Sequence, residues 1–132
     1  MHWKAFLHVL CYLRGTQDLA LVYHKGNISS GIVAYSDSDW GNCPDTRRLT
    51  TGLLETFDGF LVIWKIRKQP TVSLSTSEAE YKSLCDVTSE LIWLRQWCAE
   101  AGLVTCDSAT LIHEDNQGCI SMSNDDTSIN GK

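Results

Sequence analysis

One long helical stretch set between strand-like runs constrains this chain most. It opens at Ser75 or Ser77, each followed three residues later by a glutamate, which is the spacing of a capping box. It runs to about Ala101, and Gly102 supplies the stop. An apolar run, Ile32 to Ser36, lies before it, and another, Thr110 to His113, lies after it. A strand, a crossover helix and a further strand let the first strand lie parallel to the last. Residues 51–57 and 60–67 read as two more strands, and Asp58-Gly59 between them is a strong hairpin signal. The expected class is therefore α/β. Its mixed sheet has three antiparallel strands plus a parallel strand after the long crossover helix.

Other segments fill in around that frame. Trp3, Phe6, Leu7, Leu10 and Leu13 keep helical spacing, and Gly15 ends that helix. Leu19 to Tyr23 is a short strand candidate, and residues 41–45 have the chemistry of a loop. Phe60, Val62, Trp64 and Ile66 alternate onto one strand face, with Lys65 and Arg67 on the other. On the long helix, Tyr81, Leu84, Thr88, Leu91 and Arg95 trace a stripe that Trp93, Leu94 and Trp97 widen. That width calls for more than one packing partner, the N-terminal helix among the candidates. Apolar neighbours favour core packing over base stacking for Trp64, Trp93 and Trp97. Asn116-Gln117 is placed to cap a short helix over residues 118–122, and residues 123–132 form a polar tail expected to be disordered.

At 132 residues the chain is one domain, and 43% hydrophobic with 20% charged residues describes an ordinary globular protein. No run reaches the roughly 18 apolar residues of a membrane span, and the N-terminus carries no convincing signal peptide, so an intracellular, cytoplasmic location is expected. A virus-like particle or the nucleus are the alternatives. Six cysteines form no close CxxC pair, which predicts reduced, mostly buried thiols and no zinc site. A net charge of −5 argues against a simple nucleic-acid-binding module. Residues 41–70 are nonetheless locally basic, while residues 78–126 are strongly acidic.

Three acidic segments sit at element ends. Asp37 closes a strand in Tyr35-Ser36-Asp37-Ser38-Asp39-Trp40. Glu80 opens the long helix in Ser75-Thr76-Ser77-Glu78-Ala79-Glu80-Tyr81. Asp115 closes the last strand in His113-Glu114-Asp115-Asn116-Gln117. Carboxylates placed this way can converge, and converged carboxylates hold hard cations such as Mg²⁺. Each also has a plainer role: Asp37 as a turn residue, Glu78 or Glu80 as a first-turn helix acid, Asp115 as a helix N-cap. His113 shares a strand face with Asp115, and a packed histidine is its plainer role.

Taken in order, these pieces resemble the ribonuclease H domain of copia-type retrotransposon polyproteins. The acidic motif around Asp37, the basic loop Asp45-Thr46-Arg47-Arg48-Leu49-Thr50, the stretch Lys68-Gln69-Pro70 through Glu80-Tyr81, and Asp115-Asn116-Gln117 carry the resemblance. Residues 2–16 look like the segment that follows a reverse transcriptase. The resemblance implies a connecting helix and strand over 1–30, a ribonuclease H-like domain over 31–122 and a tail over 123–132. It implies Mg²⁺-dependent hydrolysis of the RNA strand of RNA–DNA hybrids. Asp37, Glu80 and Asp115 would be catalytic metal ligands for two Mg²⁺ ions, with Mn²⁺ as a substitute. Arg47, Arg48, Lys65, Arg67 and Lys68 are candidate nucleic-acid contacts. The implied partners are the hybrid and the reverse transcriptase domain of the same polyprotein, with no membrane.

The family pattern continues through a His- and Lys-containing segment to a fourth aspartate and a closing helix. The sequence ends at Lys132 before these. The resemblance thus implies a C-terminally truncated domain with its final strand and helix missing. The alternative is a catalytically inactive retroelement remnant that only binds nucleic acid or protein.

Overall fold

The structure, a computed structural model, describes residues 2–25, 31–39, 48–103 and 109–125, with only the backbone at residue 39. Its elements are α1 (His2–Gly15), β1 (Ile32–Asp39), β2 (Thr50–Phe57), β3 (Phe60–Lys68), α2 (Thr76–Glu100), β4 (Leu111–His113) and α3 (Gln117–Ser123). The sheet order is β3-β2-β1-β4. β1 to β3 pair antiparallel in sequence, and β4 returns parallel to β1 after α2. The mixed sheet and its crossover helix thus match the expectation.

The hairpin between β2 and β3 follows from its two turn residues. Asp58 and Gly59 take φ of 50° and 82°, the left-handed pair that matches the twist of flanking strands. Asp58 also binds back to Gly31: its carboxylate accepts the Gly31 N–H at 3.0 Å, and its own N–H reaches the Gly31 carbonyl at 2.8 Å. The turn therefore pins the entry to β1 as well.

One face of the sheet carries the core. Ile32, Ala34 and Leu53 pack against Val87, Leu91 and Leu94 of α2. The buried side of α2 runs through Ala79, Glu80, Ser83, Val87, Leu91, Leu94 and Cys98. This is not the stripe of large side chains that the sequence suggests. Near its N-terminus α2 lies close to β1, and small residues fill the gap there, so Tyr81 falls to the flank. Trp93 and Trp97 are half-exposed and border an apolar groove with Phe57, Val62 and Leu103.

Among the described residues, no helix covers the opposite sheet face. Trp64 is 59% exposed and Ile66 81% exposed, beside exposed Tyr35 and Leu54. Trp64 is therefore not a core residue. Lys65 and Arg67 instead face α2, where Lys65 pairs with Glu90 at 2.6 Å and Arg67 with Asp86. A bulge between Glu55 and Thr56 also breaks the alternation, because Thr56 pairs with Leu61 and Glu55 with Ile63, leaving Val62 without a partner. Phe60 thereby leaves the face shared by Trp64 and Ile66.

Residues 19–23 form no strand. They gain no ladder of backbone hydrogen bonds, and Tyr23 reaches the sheet through its hydroxyl to the Leu61 carbonyl at 2.6 Å and its ring against Phe60. α1 keeps its apolar stripe exposed and touches no other helix or strand among the described residues. The described cysteines are free thiols, with Cys98 and Cys119 buried but Cys11 and Cys85 exposed. No helix among the described residues is long and apolar enough to cross a membrane. Most of the expected polar tail lies outside the described residues, and Ser123 belongs to α3.

Candidate metal centre

The parallel pairing of β1 with β4 sets the site. Its last matched pair is Tyr35 with His113. Asp37 and Asp115 each lie two residues beyond that pair, at the same end of adjacent strands. α2 begins over this edge and is tied down by the Ser83 hydroxyl, which donates to the Asp37 carbonyl at 2.9 Å. Glu80, one turn earlier, is carried to the same place.

The two glutamates that open α2 have different roles. Ser75 is the N-cap, accepting the Glu78 N–H at 3.1 Å. The Glu78 carboxylate accepts the Leu74 N–H at 2.8 Å and pairs with Lys82 at 2.7 Å. The Lys82 hydrogen bond, first among the causes, holds its carboxyl below the ordinary range. Glu80 points inward and is only 7% exposed.

Glu80, Glu114 and Asp115 each offer a carboxylate oxygen, and these atoms lie within 4.8 Å of one another. Oε2 of Glu80 and Oε2 of Glu114 are buried with no hydrogen-bond partner. Burial, then the charge of Glu114, push the Glu80 carboxyl up to about 7; a Ser38 hydrogen bond opposes this, and Asp37 and Asp115 add to it. Unpartnered buried carboxylate oxygens are costly, and a hard divalent cation is the group that such an all-oxygen donor set accommodates. The residues therefore fit Mg²⁺.

Asp37 stands apart from that tight group. Its side chain is exposed and borders a shallow hollow on the sheet face opposite the core with Gly52, Leu54 and Trp64. It is still close enough for its charge to raise the Glu80 carboxyl. His113 is exposed and stacks on Tyr35, with ring centroids 4.7 Å apart, so it is not a core histidine.

Two further residues hold the site in shape. Gln69 is 2% exposed and joins three segments. Its Nε2 donates to Thr51 Oγ1 at 3.1 Å and to the Ala79 carbonyl at 3.0 Å, while its Oε1 accepts the Ser73 hydroxyl at 3.3 Å. Asn116 caps α3, its Oδ1 accepting the Cys119 N–H at 2.9 Å and the Ser77 hydroxyl at 3.2 Å. Gly118 permits that closeness, because a Cβ there would collide with Ser77 Oγ and lie 3.1 Å from Asn116 Oδ1. Its sequence context, one residue after a helix start, gives no hint of this contact.

Strand alternation hides Glu114. Period-two logic sends Glu114 and Asp115 to opposite faces, but β4 ends at His113 and the rule ends with it. Of the basic candidates, Arg48 and Lys68 are exposed, Lys65 and Arg67 are engaged by α2 carboxylates, and Arg47 lies outside the described residues.

Fold and site together define an α/β protein with a mixed four-stranded sheet and an acidic cluster at the shared end of its parallel strands. Its homologues include the retrovirus-related Pol polyprotein from transposon TNT 1-94 of Nicotiana tabacum, 38% identical over 117 residues, or 84% of this chain and 9% of that protein. The retrovirus-related Pol polyprotein from transposon RE2 of Arabidopsis thaliana is 37% identical over 117 residues, 89% of this chain and 8% of that one. Secreted RxLR effector protein 161 of Plasmopara viticola is 41% identical over 93 residues, 70% of this chain and 65% of that one. The chain thus spans less than two thirds of each of these relatives, and under a tenth of the polyproteins. No family model and no solved structure matches. The polyprotein homologues support a retrotransposon polyprotein origin for the chain.

Proposed function

We propose that the chain is a ribonuclease H-type domain that hydrolyses the RNA strand of RNA–DNA hybrids with Mg²⁺. The observation that carries this reading is the pair of buried, unpartnered carboxylate oxygens on Glu80 and Glu114 beside Asp115, at the end of β1 and β4. Homology to retrotransposon Pol polyproteins supports it, because such an element copies RNA into DNA and passes through a hybrid. Glu80 and Asp115 would hold the ions, with Asp37 joining them from the neighbouring strand end. Divalent ions held there supply an activated water and neutralise charge on the scissile phosphate. Arg48, Lys65, Arg67 and Lys68 are the proposed backbone contacts, with Lys65 and Arg67 giving up their α2 ion pairs. Hydrogen bonds to 2′-hydroxyls would distinguish the RNA strand. The reverse transcriptase domain of the same polyprotein is the proposed neighbour.

The test is a labelled RNA–DNA hybrid incubated with the protein and Mg²⁺. Cleavage confined to the RNA strand, stopped by a chelator and by Asp37→Asn or Asp115→Asn, is expected. A hybrid left intact by the wild-type protein in both Mg²⁺ and Mn²⁺ overturns the proposal, and hybrid binding without cleavage would then favour the inactive remnant.

A further inference from the structure

We infer that Glu114 is an additional cation ligand of this site, acting directly alongside Glu80 and Asp115; the inference rests on the cation-site reading above. Glu114 is held in a divided role. Its Oε1 accepts the Asn116 N–H at 3.0 Å, which fixes the carboxylate at the turn into α3. Its Oε2 is buried and has no partner, and Glu114 offers one carboxylate oxygen to the group whose ligand atoms lie within 4.8 Å of one another. Oxygens on opposite sides of an octahedral Mg²⁺ are about 4.2 Å apart, twice a bond of about 2.1 Å. Adjacent oxygens are about 3.0 Å apart, so side-chain rotation must draw these three oxygens closer together to seat one ion. A second, independent observation points the same way: Glu80, a member of the same group and only 7% exposed, also has a buried Oε2 without a partner. Two neighbouring carboxylates, each with one buried oxygen left unpartnered, repel each other when both are charged, and a cation between them removes the repulsion and satisfies both oxygens.

The substitution Glu114→Gln keeps an oxygen to accept the Asn116 N–H and removes the charge, so it separates a ligand from a turn residue. Mn²⁺ binding to the full chain is measured by isothermal titration for wild type, Glu114→Gln, Glu114→Asp and Glu80→Gln, with amide exchange at Cys119 reporting whether α3 stays docked. The expected result is a tenfold or greater loss of Mn²⁺ affinity in Glu114→Gln with Cys119 protection intact. Glu114→Asp, which retains the charge on a shorter arm, should recover part of that loss. Wild-type affinity in Glu114→Gln alongside lost affinity in Glu80→Gln overturns the inference and leaves the cation site standing. Absence of Mn²⁺ binding by the wild type, or equal affinity in all four proteins, overturns both.

Discussion

Glu55 offers a sharp test of the packing between β2 and α2. It is fully buried, and neither carboxylate oxygen has a hydrogen-bond partner. Burial, then the charge of Glu90, raise its carboxyl from 4.5 to about 7, against a smaller opposing pull from Lys65. The folded chain therefore holds a proton on Glu55 over a range where the unfolded chain has released it. Between about pH 4.5 and pH 7 the folded state binds more protons, so this residue's effect on stability worsens as pH rises through that window and is flat above it. One pKa unit corresponds to about 1.4 kcal/mol, so the full penalty at pH 8 is at most about 3.4 kcal/mol. The half-exposed Lys65–Glu90 pair beside it provides some relaxation, which makes this a ceiling. Glu55→Gln removes the titration with little change of volume. Urea unfolding of both proteins at pH 5 and pH 8 should show the variant gaining up to about 2.5 kcal/mol relative to wild type between the two, a midpoint change on the order of 1–2 M. Glu80 titrates in the same window in both proteins and cancels from the comparison. A wild-type-to-variant difference that is the same at both pH values would refute the reasoning.

Two further outcomes concern the supports of the site. Gln69→Ala strands the Thr51, Ser73 and Ala79 partners and should cost about 2–4 kcal/mol, read by denaturant unfolding. Gly118→Ala drives a methyl group into Ser77 Oγ and should cost about 1–3 kcal/mol, with loss of amide protection at Cys119 as α3 is pushed off α2.

Much of the architecture was legible from local chemistry. Asp58-Gly59 dictates a tight hairpin, Ser75 with Glu78 marks the start of α2, and a helix between two strands leads to the parallel β1/β4 pair. That pairing also brings Asp37 and Asp115 to one sheet edge, a placement already implied by their positions at strand ends. What stayed hidden depended on contacts between elements. Alternation groups Trp64 with Ile66 without saying which sheet face α2 covers, and the bulge at Val62 moves Phe60 off their face. Helical periodicity favours Tyr81 over Ser83, yet the close approach of α2 to β1 selects the small residue. Glu114 enters the acidic group only because the strand stops one residue before it.

The central claim is that the carboxylates at this sheet edge are arranged for a divalent cation. It is tested most directly by following the Glu80 side-chain carboxyl by NMR across pH, with and without saturating Mg²⁺. Without the ion, the account predicts a midpoint near 7, set by burial and by Glu114. With Mg²⁺ bound, the charged form is favoured and the midpoint should fall by more than about one unit. A midpoint that Mg²⁺ leaves unmoved would contradict the account.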